Sequence, residues 1–381
     1  MRRWHRVSWN GVKQQVEFRR ELLSLAKPGV NVRQLCKQFR ISRKTFYKWL
    51  KRYNKEGSDG LKNQSRRPHR SPTKTKASIE ARVLSVRAEK RSWGARKLRK
   101  VLMERGMTGL PADSTIHQIL KRHEQIDAKE SAKHHKWQRF EHEAPNQLWQ
   151  MDFKGWFRTD DHRQCHPLTV LDDHSRYVVC LEACSNQQTD TVQSRLTTTF
   201  RQYGVPERMT MDNGAPWGSD QAHPFTPLTV WFIRLGIRVS HSRPYHPQTQ
   251  GKDERFHRTL GVDLLQWHHF RNIADVQHHF EQYRNVYNHE RPHQALGLNV
   301  PASRYAISPR SFPEVLAPIE YGASDVVRIV CDHGRIRFGG KRFAIGKAFR
   351  GYPVALRPTT EDGILNVFFC HQKITSINQR A

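Results

Sequence analysis

The sequence predicts a multi-domain chain with N-terminal all-α helix-turn-helix modules, an α/β core and a small C-terminal β-barrel. Three observations carry this reading. Positive charge is concentrated at one end, where residues 1–100 hold 30 Lys and Arg against 6 Asp and Glu while residues 101–381 hold 35 against 29. Apolar spacing is helical through the first third of the chain and switches to strand spacing near Gln147. After residue 320, short β-prone runs are separated by Gly pairs. A chain of 381 residues has room for several domains with their own cores.

The first helix is expected over Val12–Leu25, closed by Pro28-Gly29, and a second follows an Asn31 cap with Gln34 in capping-box position. A short turn leads to a third helix after Ser42, on which Phe46, Trp49, Leu50 and Tyr53 form an apolar stripe. Arg43, Lys44, Thr45, Tyr47, Lys48, Lys51 and Arg52 remain on its outside. A basic, polar face on the second helix of such a unit suits entry into the DNA major groove, the alternative being a solvated helical bundle. Residues 62–76 read as a basic linker. Helices near Ala77–Glu89 and Ala95–Arg105, and one capped at Ser114, make a second helical module over 77–127, and 128–146 is a further linker.

From Gln147 the expected order is strands at Leu148–Phe157, His166–Leu171 and Tyr177–Ala183, a turn at Asp172–Arg176, and a helix at Asp190–Tyr203. A strand at Arg208–Asp212, a helix at about Leu228–Leu235, a strand at Ile237–Ser240 and a long helix from Gly251 follow. Three strands followed by alternating helix and strand indicate a mixed sheet with packed helices over residues 147–310. The segment 320–378 is the expected barrel.

The net charge of +30 points to a polyanionic partner, foremost nucleic acid. No window is apolar enough to span a membrane and the N-terminus lacks a signal-peptide core, so the expected location is the cytoplasm. Six Cys without a CxxC pair read as reduced, mostly buried thiols.

Three acidic residues are the candidates for chemistry. Strand alternation puts Asp152 on the face opposite Trp149, Met151 and Phe153. Asp212 ends a strand before Asn213-Gly214, at the carboxyl edge where α/β sheets place ligands. Glu254 shares a helix face with His257, Arg258 and Gly261, while Phe256, Leu260, Leu264 and Trp267 form the apolar side. Taken one at a time, each acid reads first as a turn or capping residue. Together, three hard oxygen ligands suit Mg²⁺ or Mn²⁺, and two such ions roughly 4 Å apart can drive phosphodiester chemistry.

Trp149-Gln150-Met151-Asp152-Phe153, Leu171-Asp172-Asp173-His174-Ser175-Arg176-Tyr177, Met211-Asp212-Asn213-Gly214, the run Ser242–Leu260 and Tyr287–Leu296 together resemble the insertion-sequence transposases of the DDE integrase-core class, relatives of retroviral integrases. The resemblance covers nearly the whole chain and implies a ribonuclease H-like catalytic core. Asp152, Asp212 and Glu254 would be the catalytic triad holding two Mg²⁺ (or Mn²⁺) ions. Lys252, Arg255 and Arg258 would meet DNA phosphates, with His246 and Gln248 in a loop beside the scissile strand. The implied activity is binding of the element's terminal repeats, end cleavage and joining of the 3′-OH to target DNA by a homo-oligomer, a dimer or tetramer, in the bacterial nucleoid. The rival readings are a DNA-binding regulator with an inert core and a simple nuclease. Two departures stand out: 41 residues separate Asp212 from Glu254, with Gly218–Pro227 reading as a surface insertion, and Asp253 occupies a position where many relatives carry an apolar residue. Asp253 is therefore expected to find solvent or a basic partner.

Overall fold

The computed structural model describes residues 12–64, 74–126, 141–218, 224–241 and 251–380. His246 and Gln248, and most of the two expected linkers, lie outside the described residues. The chain divides into two compact units, Met1–Lys74 and Thr75–Ala381.

The first unit holds α1 (Val12–Ser24), α2 (Val32–Gln38) and α3 (Arg43–Glu56). Asn31 caps α2, its Oδ1 accepting the N–H groups of Arg33 at 3.0 Å and Gln34 at 3.2 Å. Ser42 caps α3, its Oγ accepting the Thr45 N–H at 3.1 Å, and each such cap contributes ~1 kcal/mol. Leu22, Leu35, Cys36 and Phe46 form the core. Tyr53, placed by periodicity on the inner stripe, is instead 39% exposed. After α3 a 3-10 turn (Gly57–Leu61) folds back on the helix at Arg52, where a Cβ on Gly60 would lie 2.4 Å from the Arg52 carbonyl oxygen. That close approach seals the core with Leu61 and leaves Tyr53 outside it.

The second unit begins with α4 (Ala77–Glu89), α5 (Ala95–Glu104) and α6 (Asp113–Arg122), packed around Val83, Leu98, Leu102, Ile116 and Ile119. Ser114 lies inside α6 rather than capping it, because the helix starts directly after the extended Ala112.

The core follows as β1 (Trp149–Phe153), β2 (Phe157–Arg158), β3 (Gln164–Asp172), β4 (Val178–Cys184), α7 (Thr189–Tyr203), β5 (Arg208–Met211), α8 (Pro227–Arg234), β6 (Arg238–His241), α9 (Gly251–Asp263) and α10 (Ile273–Asn285). The strands run β4-β3-β1-β5-β6, with β2 paired to the start of β3. β1, β3 and β4 are antiparallel, whereas β1, β5 and β6 are parallel. The single strand expected over Leu148–Phe157 is thus two, broken at Gly155, whose φ of +73° ends the pleat. One sheet face packs Trp149, Met151 and Met209 against Phe200 and Phe232. The opposite face packs Leu171, Val178 and Leu181 against Phe256, Leu260 and Phe280. Trp267, expected on the apolar side of α9, is 50% exposed, because α9 ends at Asp263 and a 3-10 turn (Leu265–Trp267) turns the ring outward beneath Arg91.

The C-terminal region is β-rich: β7 (Val326–Ile329), β10 (Pro353–Pro358), β11 (Ile364–Phe369) and β12 (Gln372–Asn378) form an antiparallel sheet, and β8 (Arg335–Phe338) and β9 (Lys341–Ala344) a hairpin. Gln372 fastens it to the edge strand β6, accepting the Val239 N–H at 2.8 Å and donating to the Val239 carbonyl at 2.9 Å. An otherwise unpaired strand edge is covered in this way. Among the described residues no helix is long and apolar enough to cross a membrane.

Candidate active site

Asp152 is the penultimate residue of β1, on the face turned toward α9, with its Oδ1 accepting the Phe153 N–H at 2.8 Å. Asp212 follows β5 directly, and the parallel register Gln150↔Thr210 runs toward it from β1. Its Oδ1 accepts the Gly214 N–H at 3.0 Å and its carbonyl faces His241 Nδ1 at 2.9 Å. Glycines make this turn possible: a Cβ on Gly218 would lie 2.4 Å from the Asn213 carbonyl oxygen. Gly218 and Trp217 are buried, and Phe225 packs on Phe349 of the C-terminal region at 5.3 Å. The described ends of the expected surface insertion are therefore docked, while residues 219–223 lie outside the described residues.

Glu254 is exposed in the first turn of α9. Electrostatically, Asp212 and Glu254 both act on Asp152. Burial, then the charges of Asp212 and Glu254, push the Asp152 carboxyl up from 3.8 to about 6. Gathering anionic groups in this way is unfavourable unless a cation or protons compensate.

Asp253 finds neither solvent nor a charged base, which corrects the expectation. It is fully buried, its Oδ1 accepts from Thr169 Oγ1 at 3.0 Å, and its Oδ2 has no hydrogen-bond partner. Burial and the nearby Asp152 charge hold it well above the usual carboxylate range, which favours its protonated, neutral form. His257, one turn on, sits 3.6 Å from Asp253 and 3.9 Å from Asp152. Burial and then Lys154 push its imidazole down to about 3, so it too is neutral. Asp152, Asp253 and His257 consequently form a second cluster with ligand spacing. An imidazole and a fully buried carboxyl suit a hard divalent ion poorly, since such ions keep waters and favour ionised oxygen ligands. The Asp152–Asp212–Glu254 set, with exposed Glu254 at its edge, offers those conditions. Spacing alone did not single out Thr169, although it pairs with Asp152 across β1 and β3.

The turn Asp172–Arg176 is structural. Asp172 is buried, accepting from the N–H groups of Asn146 at 2.7 Å and Ser175 at 2.8 Å and from Ser175 Oγ at 2.6 Å. Buried Asp173 accepts from Gln150 Nε2 at 2.8 Å and pairs with Lys252, which also donates to the Asp173 carbonyl at 3.1 Å. Lys252, expected at DNA phosphates, is thus held mostly buried against the core, and that burial pushes its ammonium down to about 8. Arg255 and Arg258 are exposed on α9. In the first unit Arg43, Lys44, Tyr47, Lys48 and Lys51 are exposed along α3. Thr45 is engaged with Ser42, their hydroxyls 2.8 Å apart, and Arg52 donates to Gln64 Oε1 at 2.7 Å.

Comparison with known proteins matches an integrase core domain at residues 142–247 and a second integrase core description at 235–301. The C-terminal domain of the IS481 family transposases matches residues 325–381. The chain thus carries an integrase core domain followed by a C-terminal domain of the kind found in IS481 family transposases. A helix-turn-helix domain matches residues 18–69 and a homeodomain-like domain residues 45–120. It is 25% identical over 177 residues to an uncharacterized 31.7 kDa protein of insertion element IS407 from Burkholderia multivorans, covering 46% of this chain. The chain spans 61% of that relative's length. Solved structures similar to it include the HTLV-2 integrase catalytic core domain in complex with magnesium, at 15% identity and a TM-score of 0.33, covering 43% of this chain and 99% of that one. A simian T-cell lymphotropic virus intasome chain matches at 15% identity and a TM-score of 0.37, covering 77% of this chain and 99% of that one.

Proposed function

We propose that this chain is a DNA transposase: it binds the terminal inverted repeats of a mobile element, cleaves a strand at each end and joins the 3′-OH to target DNA. The observation that carries the reading is the convergence of Asp212 and Glu254 charge on Asp152, raised to about 6, within an integrase core. Asp152, Asp212 and Glu254 would hold two Mg²⁺ or Mn²⁺ ions, a donor set that fits because hard oxygens of like charge need a hard cation. When bound, such a pair activates the attacking oxygen and stabilises the leaving oxygen of a phosphodiester. The Phe153 and Gly214 N–H groups fix the Asp152 and Asp212 carboxylates, so little reorientation is required on binding. Buried Asp253, held toward its neutral form, supports the α9 end of the site through Thr169.

Residues 1–61 and 77–127 would be the DNA-binding modules, joined by the basic linker 62–76, with 147–310 as catalytic core and 320–378 as the C-terminal domain. Exposed Arg43, Lys44, Lys48 and Lys51 supply cations for phosphate and base contacts, as do Arg255 and Arg258 beside the site. Joining two ends in concert requires a multimer on DNA.

The test is incubation of labelled oligonucleotides copied from the element's flanking ends, with target plasmid and Mg²⁺, using wild type and Glu254→Gln. End cleavage and joining by wild type alone supports the proposal. Specific binding without cleavage under any divalent metal favours a DNA-binding regulator instead.

A further inference from the structure

We infer that a basic, aromatic cleft beside α9 binds an unpaired segment of DNA strand, holding a base out of the duplex next to the triad. The inference rests on the nucleic-acid reading above and adds a site to it. The cleft has a volume of about 640 Å³ and lies between the β1–β2 turn, α9 and the segment ending at Phe270. That volume is in the ~300–1,000 Å³ range of sites that enclose a small ligand, which suits one nucleotide.

Its construction follows from the break in β1. Gly155, in the left-handed region, turns the chain so that Trp156 stands 56% exposed at the cleft. Among the described residues the Trp156 indole makes no ring contact. A large exposed indole at a concave site is unusual for a surface residue and is suited to stacking on a flat partner. Phe157 and buried Phe270 supply an apolar wall, their rings 5.6 Å apart. Lys154, Arg158 and Arg258 supply cations against one lining acid, Asp160. The Lys154 ammonium reaches across to α9, where a Cβ on Gly261 would lie 3.9 Å from its Nζ.

An aromatic face with several cations is the combination that holds single strands, the rings stacking on bases and the cations following phosphates. A continuous duplex fits less well, because its bases are already stacked and paired and present no free face to Trp156. His257 and Arg258 line the cleft from the helix that carries Glu254, so a strand seated there lies next to the candidate metal ligands.

The experiment uses the full chain and a thymidine decamer carrying one 5-iododeoxyuridine. Photocrosslinking with peptide mapping locates the base, and fluorescence anisotropy gives the affinity of wild type, Trp156→Ala, Trp156→Phe and Arg158→Ala for the decamer and for a duplex. The expected crosslink is at Trp156. Trp156→Ala weakens decamer binding about tenfold, Trp156→Phe stays near wild type, and Arg158→Ala binds more weakly with a shallower salt dependence. Duplex affinity is unchanged by Trp156→Ala. A crosslink elsewhere, unchanged decamer affinity in Trp156→Ala and Arg158→Ala, or equal loss on duplex overturns the inference. Circular dichroism melts of each variant separate local from global loss. Mg²⁺-dependent nicking of a supercoiled plasmid by wild type is scored in parallel. Nicking with an indifferent Trp156 removes the cleft and keeps the transposase, whereas decamer loss without nicking does the reverse.

Discussion

Replacing Asp212 with Asn should stabilise the metal-free protein and abolish its response to Mg²⁺. In the folded chain the Asp152 carboxyl rises from 3.8 to about 6, through burial first and then the charges of Asp212 and Glu254. At about 1.4 kcal/mol per pH unit this amounts to roughly 3 kcal/mol. Because the folded value is raised, the native state holds the proton more tightly than the unfolded chain. Its stability is therefore full below pH 3.8 and declines as pH rises through about 6. Asp212 supplies less than half of the effect, since burial is the larger cause, so its removal returns about 1 kcal/mol at pH 7.5. For a unit running from Thr75 to Ala381 that is a rise of about 1.5 °C in Tm. In wild type, Mg²⁺ at a hundred times its Kd adds about 2.7 kcal/mol, and Asp212→Asn and Glu254→Gln should each lose that gain. Asp253→Asn should keep it, because a buried neutral carboxyl and an amide have nearly the same shape and the same lack of charge. Differential scanning fluorimetry with EDTA and with MgCl₂ reads all three variants. A fall in metal-free Tm for Asp212→Asn refutes the like-charge argument. Loss of the Mg²⁺ response in Asp253→Asn with retention in Glu254→Gln moves the metal site to Asp152, Asp253 and His257.

Asp263→Ala should destabilise the second unit by about 3–5 kcal/mol in urea melts, because its carboxylate pairs with buried Arg291 at 3.0 Å and also accepts from Tyr283 Oη at 3.3 Å and from Ser92 Oγ; Asp263→Leu with Arg291→Met should recover most of the loss. Lys97 is pushed from 10.5 down to about 6 by burial and then by Arg291. The unfolded chain takes up that proton first, so stability falls as pH drops from 10.5 through about 6, and Lys97→Met should flatten the dependence and raise stability at pH 7 by up to about 5 kcal/mol, measured by urea titration across pH. Lys44→Ala and Lys48→Ala on the exposed face of α3 should each reduce the salt slope of duplex binding by about 1 without moving the Tm, read by anisotropy at several salt concentrations. A loss confined to one DNA sequence would instead mark a base contact.

The sequence by itself determined most of the elements and their order, though not the break of the first core strand at Gly155 or the end of α9 at Asp263. Asn31 and Ser42 were legible as caps because they are short polar acceptors placed where orphan N–H groups begin, an effect confined to one turn of chain. Phe46, Phe256 and Leu260 were legible as core because helical period exposes a buried face directly. Asp152, Asp212 and Glu254 were legible as candidates because each lies near the end of a strand or the start of a helix, positions marked by local pattern, and the family resemblance is what groups them as a triad. Tertiary structure decided what those side chains meet. Nothing within a few residues of Asp253 shows that it lies sealed under Thr169 and stays neutral, since its burial is made by β3, more than eighty residues earlier. Lys252 reads as a free cation until Asp173, in a turn far back in the chain, takes it up. The sequence reads straight through Gly155 as one strand, and only the break there, with α9 and Phe270 folded around it, makes Trp156 the edge of a cleft. Caps and periods are settled by neighbours along the chain, whereas charge, protonation and access depend on the dielectric and on partners brought from distant strands and helices, and the chain acquires these only when it folds.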